Sequence, residues 1–125
     1  MDLLEKLLKK YSDMASFETV ELETFSQTGR YDKDTPAHVA AYLGNLDDLK
    51  VMIKYMGQEC VNTLRGDIGN TVLHSAILAG NVEVVTYLLQ LGADPHLQND
   101  YGDTAFDSAL GSDNSKQILQ LLKRL

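Results

Sequence analysis

The stretch Thr71-Val72-Leu73-His74-Ser75-Ala76-Ile77-Leu78-Ala79-Gly80-Asn81 decides how this chain reads, with Gly92-Ala93-Asp94-Pro95 closing the unit that it opens. Thr71 suits a helix N-cap, where its hydroxyl accepts a backbone N–H that the helix leaves free. Gly80 suits the end of that helix, where a left-handed residue can sit. Val82, Val84, Val85, Leu88 and Leu89 then give a second helix one apolar side. Asp67, Gly69 and Asn70 supply turn chemistry ahead of the pair. The unit is therefore turn, short helix, turn, longer helix.

The same unit occurs three times. It reads DKDTPAHVAAYLGNLDDLKVMIKYM from Asp32 to Met56, DIGNTVLHSAILAGNVEVVTYLLQLGADP from Asp67 to Pro95, and DYGDTAFDSALGSDNSKQILQLLKRL from Asp100 onward. Thr35, Thr71 and Thr104 mark the register, 36 and then 33 residues apart. Pro36 fits the first position of a helix. Ala37, Ala40 and Ala41, then Ala76 and Ala79, keep the first helices thin enough to approach one another. Leu46, Leu49, Val51, Met52 and Ile53 repeat the apolar side of the second helix. A single unit cannot bury its apolar side, so stacking is obligatory.

A 33-residue period with Thr35-Pro36-Ala37-His38 and Thr71-Val72-Leu73-His74, followed by Gly44-Asn45 and Gly80-Asn81, resembles the ankyrin repeat. The resemblance implies an all-α solenoid of about three helix-turn-helix repeats with β-turn fingers, over approximately 31–66, 67–99 and 100–125. Two units depart from the pattern. The first is three residues longer, with Gly57-Gln58-Glu59-Cys60-Val61-Asn62 in place of the Gly-Ala-Asp-Pro turn. The third has Asp107 in place of His and Gly111-Ser112-Asp113-Asn114 in place of Gly-Asn. Both read as effects of lying at an end of the stack.

Residues 1–30 lie outside the motif and form an N-terminal capping helix with an extended lead-in. Leu3, Leu4, Leu7, Leu8 and Tyr11 fall on one side of a helix from Asp2 to Ser12, with an Asp2/Glu5 capping box. Its expected role is to cover the first repeat. Loose alternation from Phe17 to Phe25 reads as a short strand.

Composition bounds the function. The 125 residues carry 11 Lys+Arg against 18 Asp+Glu, a formal net charge of −7. The acidic excess is 3 over residues 1–34, 3 over 35–97 and 1 over 98–125, so it belongs to the whole surface. Phosphate backbones need clustered Lys/Arg, so no nucleic-acid partner is expected. No apolar run nears the roughly 20 residues of a membrane span, and MDLLEKLLKKYSD lacks the order of a signal peptide. A soluble, cytoplasmic domain is expected, with one cysteine, Cys60, that cannot form an internal disulfide.

No residue pattern builds an active site. His38 and His74 repeat with the motif, and the resemblance implies that each bridges its Thr hydroxyl and the finger backbone. His96 has no partner at metal-ligand spacing, and Cys60 no activating cue. No enzyme, cofactor or metal is expected; a small hydrolase or transferase built on Asp107, Cys60 or His96 is the weakest reading.

The family resemblance implies that partners are held by finger tips and the open side of the first helices. That register selects Tyr31, Asp32, Asp34, Tyr42, Asp67, Ile68, Asn70, Leu78, Asp100, Tyr101 and Asp103. Apolar anchors among carboxylates, with no Lys or Arg in the set, fit a basic protein partner bound 1:1 by an otherwise monomeric chain. The first reading is a stand-alone inhibitor resembling bacterial immunity proteins, which occlude a basic toxin. The alternative is a regulatory inhibitor or adaptor of a kinase, transcription factor or other intracellular protein.

Overall fold

The computed structural model describes residues 2–14, 28 and 34–124. Eight α-helices and no strand occur among the described residues. They are α1 (Leu3–Ser12), α2 (Pro36–Leu43), α3 (Leu46–Met56), α4 (Cys60–Thr63), α5 (Val72–Leu78), α6 (Val82–Gln90), α7 (Ala105–Leu110) and α8 (Ser115–Lys123). The segment Phe17 to Phe25, read from sequence as a strand, lies outside the described residues.

The three threonines cap as their spacing requires. Thr35, Thr71 and Thr104 each accept the N–H of the residue three positions on, and that residue's side chain returns to the cap's own N–H. In the first two repeats the returning group is imidazole. The Thr71 N–H donates to His74 Nδ1 at 3.0 Å, and the Thr71 hydroxyl lies 2.8 Å from the same nitrogen. A backbone N–H can only donate, so Nδ1 is an acceptor and the ring proton sits on Nε2. Nε2–H then donates to the Asp103 carbonyl at 2.9 Å, in the next finger. His38 repeats the arrangement on Thr35 and on the Asn70 carbonyl, at 2.8 Å in each case.

Each of those carbonyls is also the acceptor that closes its own finger. Asn70 O takes the Gly66 N–H at 2.8 Å, and Asp103 O takes the Asn99 N–H at 2.9 Å. One repeat's imidazole therefore completes the next repeat's turn. Gly66 must be glycine for this packing, because a Cβ there would lie 2.4 Å from Asp34 Oδ1 and 2.8 Å from His38 Nε2.

A second ladder runs backwards. Asn45, Asn81 and Asn114 precede α3, α6 and α8 but do not cap them with their side chains. The Asn81 amide instead donates to the Ala41 and Tyr42 carbonyls at the end of α2, and the Asn114 amide to Gly80 O. Gly44 and Gly80, at φ +77° and +73°, make the tight turns that aim these amides. The first repeat has no predecessor among the described residues, and Asn45 donates instead to the Tyr11 hydroxyl of α1 at 3.2 Å.

That contact explains the N-terminal helix. Asp2 caps it by accepting the Glu5 N–H, as half of the expected box. Tyr11 is wholly buried, and its hydroxyl donates to Asp48, which also takes Lys10 Nζ at 2.6 Å. Leu7 and Tyr11 join one continuous core with Leu49, Met52, Leu73, Ile77, Leu88 and Ile118. The stack has two rows: α2, α5 and α7 pack in sequence, with α3, α6 and α8 behind them. Ala37, Ala40, Ala41, Ala76 and Ala105 are fully buried between the front helices, as their small side chains require.

The longer first repeat is resolved by α4, a single extra turn. Asn62 holds it in place: its amide donates to Gly92 O at 3.0 Å and its oxygen accepts the Asp94 N–H at 2.7 Å. At the other end α7 stops at Leu110, and Asn114 takes the left-handed conformation at φ +59°, which Asn tolerates better than most residues.

Two outcomes follow for the imidazoles. His74→Ala should lower unfolding free energy by about 1–3 kcal/mol in urea, because the part-buried Asp103 carbonyl and the buried Thr71 N–H lose partners together. Burial holds the protonation of His38 and His74 below the ordinary histidine range. The unfolded chain therefore binds protons first as pH falls below about 6.5, so this part of the stability is full above that pH and declines below it. Melting temperature should drop between about pH 7 and 5.5, and the slope should be shallower in His74→Ala.

Candidate protein-binding surface

A residue left exposed where its neighbours are buried is the raw material of an interface. Tyr42 and Leu78 occupy the same place in the last turn of α2 and α5, and are 56% and 48% exposed. Leu43, beside Tyr42, is also more than half exposed. Leu43 lies outside the expected contact set, and the corresponding residue of the second repeat is Ala79. Leu110 is 70% exposed, whereas Ala41 and Ile77, its counterparts in register, are fully buried by the repeat that follows them. Leu110 thus belongs to the last repeat's outward side, not to the row of Tyr42 and Leu78.

Finger geometry places the remaining residues. Tyr101 is 73% exposed at its finger tip, where Asp100 and Asp103 are exposed beside it in sequence, and Asp67 is exposed on the preceding finger. Ile68, the counterpart of Tyr101, is half-buried and holds φ +49°. A β-branched residue is strained there, and the turn is held by the Asp100 N–H, which donates to Ile68 O at 2.8 Å. Asp34 is half-buried, with Oδ1 accepting the Asp67 N–H at 2.9 Å. Tyr31 and Asp32 lie outside the described residues.

Two expectations need correction. Asn70, read as an exposed contact, is buried: its carbonyl serves His38 and Gly66, and its Oδ1 accepts Asn99 Nδ2 at 3.0 Å. It is a structural residue. The finger face is also not free of basic groups. Arg65 lies with Thr28, Gly66, Gly69, Gln98 and Asp100 around a recess of about 310 Å³. Its guanidinium donates to Gly69 O and Gln98 O, both at 3.3 Å. Arg65 precedes the repeat motif by six residues, so the register did not bring it into the set.

The side chains weighed for catalysis are engaged separately. Burial raises the Cys60 thiol's pKa, away from the reactive thiolate. The His96 ring stacks on Phe106 at 5.5 Å between centroids. Asp107 accepts the Thr104 N–H at 2.9 Å and the Thr104 hydroxyl at 3.2 Å, completing a helix cap. Among the described residues, no group of three or more His, Cys, Asp or Glu could hold a metal ion, and no helix is long and apolar enough to cross a membrane.

Comparison with known proteins places this architecture. Residues 2–99 and 69–124 match the family described as ankyrin repeats (three copies). The chain is 36% identical to human Protein phosphatase 1 regulatory subunit 27 over 86 residues, which is 69% of this chain and 53% of that protein. It is 34% identical to the mouse protein of the same name over 104 residues, 83% of this chain and 62% of that protein. It is 28% identical over 92 residues to the BRCA1-associated RING domain protein 1 of Caenorhabditis elegans, 74% of this chain and 13% of that one. The chain thus spans little more than half the length of the two mammalian relatives.

Stability separates structural from surface residues. Asn70→Ala should cost about 1–2 kcal/mol in chemical denaturation and Tyr101→Ser less than about 0.5 kcal/mol. Ile68→Asn should raise stability by about 1 kcal/mol, since Asn relieves the left-handed strain.

Proposed function

This chain belongs to the ankyrin-repeat family, and on that premise we propose that it is a non-catalytic regulatory module that holds a protein partner against its finger tips and the exposed ends of α2 and α5. The observation that carries this reading is the set Tyr42, Leu78 and Tyr101, large side chains left open on three successive repeats. Their open surface gains little in folding and is regained when a partner covers it. Such anchors dominate affinity, while exposed carboxylates mainly steer the encounter. Asp67, Asp100 and Asp103, with Asp34 beside them, favour a basic patch on the partner, and Arg65 limits that preference. Tyr31 and Asp32 stay in the proposed contact set, and binding is 1:1 by occlusion.

A regulatory role is favoured over toxin neutralisation because the phosphatase regulatory subunits match most of this chain, while none of the relatives above supports the immunity reading. A protein phosphatase catalytic subunit is accordingly the first partner to try. Calorimetric titration of the chain with that subunit should give a 1:1 complex. The double variant Tyr42→Ser, Tyr101→Ser should weaken it by about tenfold or more at unchanged melting temperature. Absence of binding would remove the phosphatase as partner, and undiminished binding by the double variant would remove this surface.

A further inference from the structure

The back row of helices carries a groove of another chemistry. Between α3 and α6 lies a cavity of about 360 Å³ lined by Lys50, Ile53, Lys54, Gln58, Tyr87 and Leu91. Its apolar part is Ile53, which is buried, with Tyr87 and Leu91 half-buried. Lys50 and Lys54, both exposed, stand one helical turn apart on the α3 side, and no carboxylate lines the groove. Lys50 Nζ lies 5.3 Å from the centre of the Tyr87 ring. Glu83, one turn before Tyr87, lines instead the neighbouring polar recess that Lys50 shares with Lys10, Asp47 and Asp48.

The longer first repeat closes one end of the groove. Gln58, in the inserted loop, reaches across its end and donates to Leu91 O at 2.5 Å. Asn62 ties the same loop to Gly92 and Asp94. The second repeat has the plain Gly92-Ala93-Asp94-Pro95 turn, and the gap between α6 and α8 holds only about 180 Å³.

We propose that the α3–α6 groove is a second docking site, which takes an acidic peptide segment of another protein with one large apolar side chain seated on Ile53, Tyr87 and Leu91. Charge complementarity selects that occupant. Carboxylates on either side of the anchor meet Lys50 and Lys54, whereas most of a chain of net charge −7 repels them. The two exposed ion pairs contribute modestly, and the desolvated anchor supplies most of the affinity. Two lysines above an apolar floor offer a phosphate backbone little, so a nucleic acid is not the occupant. This site is separate from the finger face and binds whether or not that face is occupied.

The test is fluorescence anisotropy of the full chain with labelled peptides in which Leu, Ile, Met, Phe, Tyr or Trp is flanked on each side by Glu-Glu. At least one should saturate at low salt and weaken as salt is added. Affinity should fall about tenfold in K50E/K54E, and less in K50Q/K54Q, while Tyr42→Ser with Tyr101→Ser leaves it unchanged. Circular dichroism melts of the lysine variants should match the parent, and amide shift changes on adding peptide should centre on Ile53, Tyr87 and Leu91. No saturable binding by any peptide would overturn the proposal. So would equal binding of Lys-flanked peptides, or undiminished binding by K50E/K54E. Binding to phosphatidylserine vesicles without binding to any peptide would overturn it in favour of a lipid surface.

Discussion

An imidazole that closes its own helix cap with one nitrogen and the next repeat's finger with the other is the contact on which this structure depends. His74 can do both only as the neutral tautomer, because Thr71 donates to Nδ1 and Asp103 O needs the proton on Nε2. The bond joins residues 29 positions apart, so it couples two units that pack mainly by apolar stacking. Asparagines work in the opposite direction, tying each turn to the helix before it. The two ladders set the spacing of the fingers, and that spacing sets where Ile68 and Tyr101 project.

The ends of the stack show what the ladders require. Asp107 replaces the imidazole in the third repeat, and keeps the cap through Thr104 while offering no forward donor. Among the described residues there is no fourth finger for such a donor to reach. At the other end Tyr11 supplies what a preceding repeat would: a wholly buried ring and an oxygen for the Asn45 amide. These departures from the motif thus fall where the described residues hold no further repeat to pair with. The three extra residues of the first repeat differ in kind, since their turn closes one end of a groove larger than the one between α6 and α8.

Much of this was legible in the sequence, because capping and turn chemistry are local and recur in register. The threonine caps, the left-handed Gly44 and Gly80 and the helix from Leu3 to Ser12 follow from residue type and spacing, while the bridging histidines follow from the resemblance to the ankyrin repeat. What escaped depends on contacts distant in sequence. Asn70 carries the composition of a turn, but its burial is decided by His38 and Asn99. Arg65 enters the finger face through the Gln98 carbonyl, 33 residues away, and α4 stays in place through Gly92 and Asp94. Exposure is likewise set by the stack: Ile77 and Leu110 share a register position, yet among the described residues only Ile77 has a repeat packed beyond it.

The claim that neutral, bridging imidazoles join the repeats is tested most directly by long-range nitrogen–proton correlation spectra of the histidine rings at neutral pH. His38 and His74 should each show one protonated nitrogen, Nε2, and an unprotonated Nδ1, with the Nε2 proton slow to exchange with water. An imidazolium pattern, or a proton on Nδ1, would contradict the account, because neither form leaves Nδ1 free to accept the Thr35 and Thr71 N–H groups while Nε2 donates to the next finger.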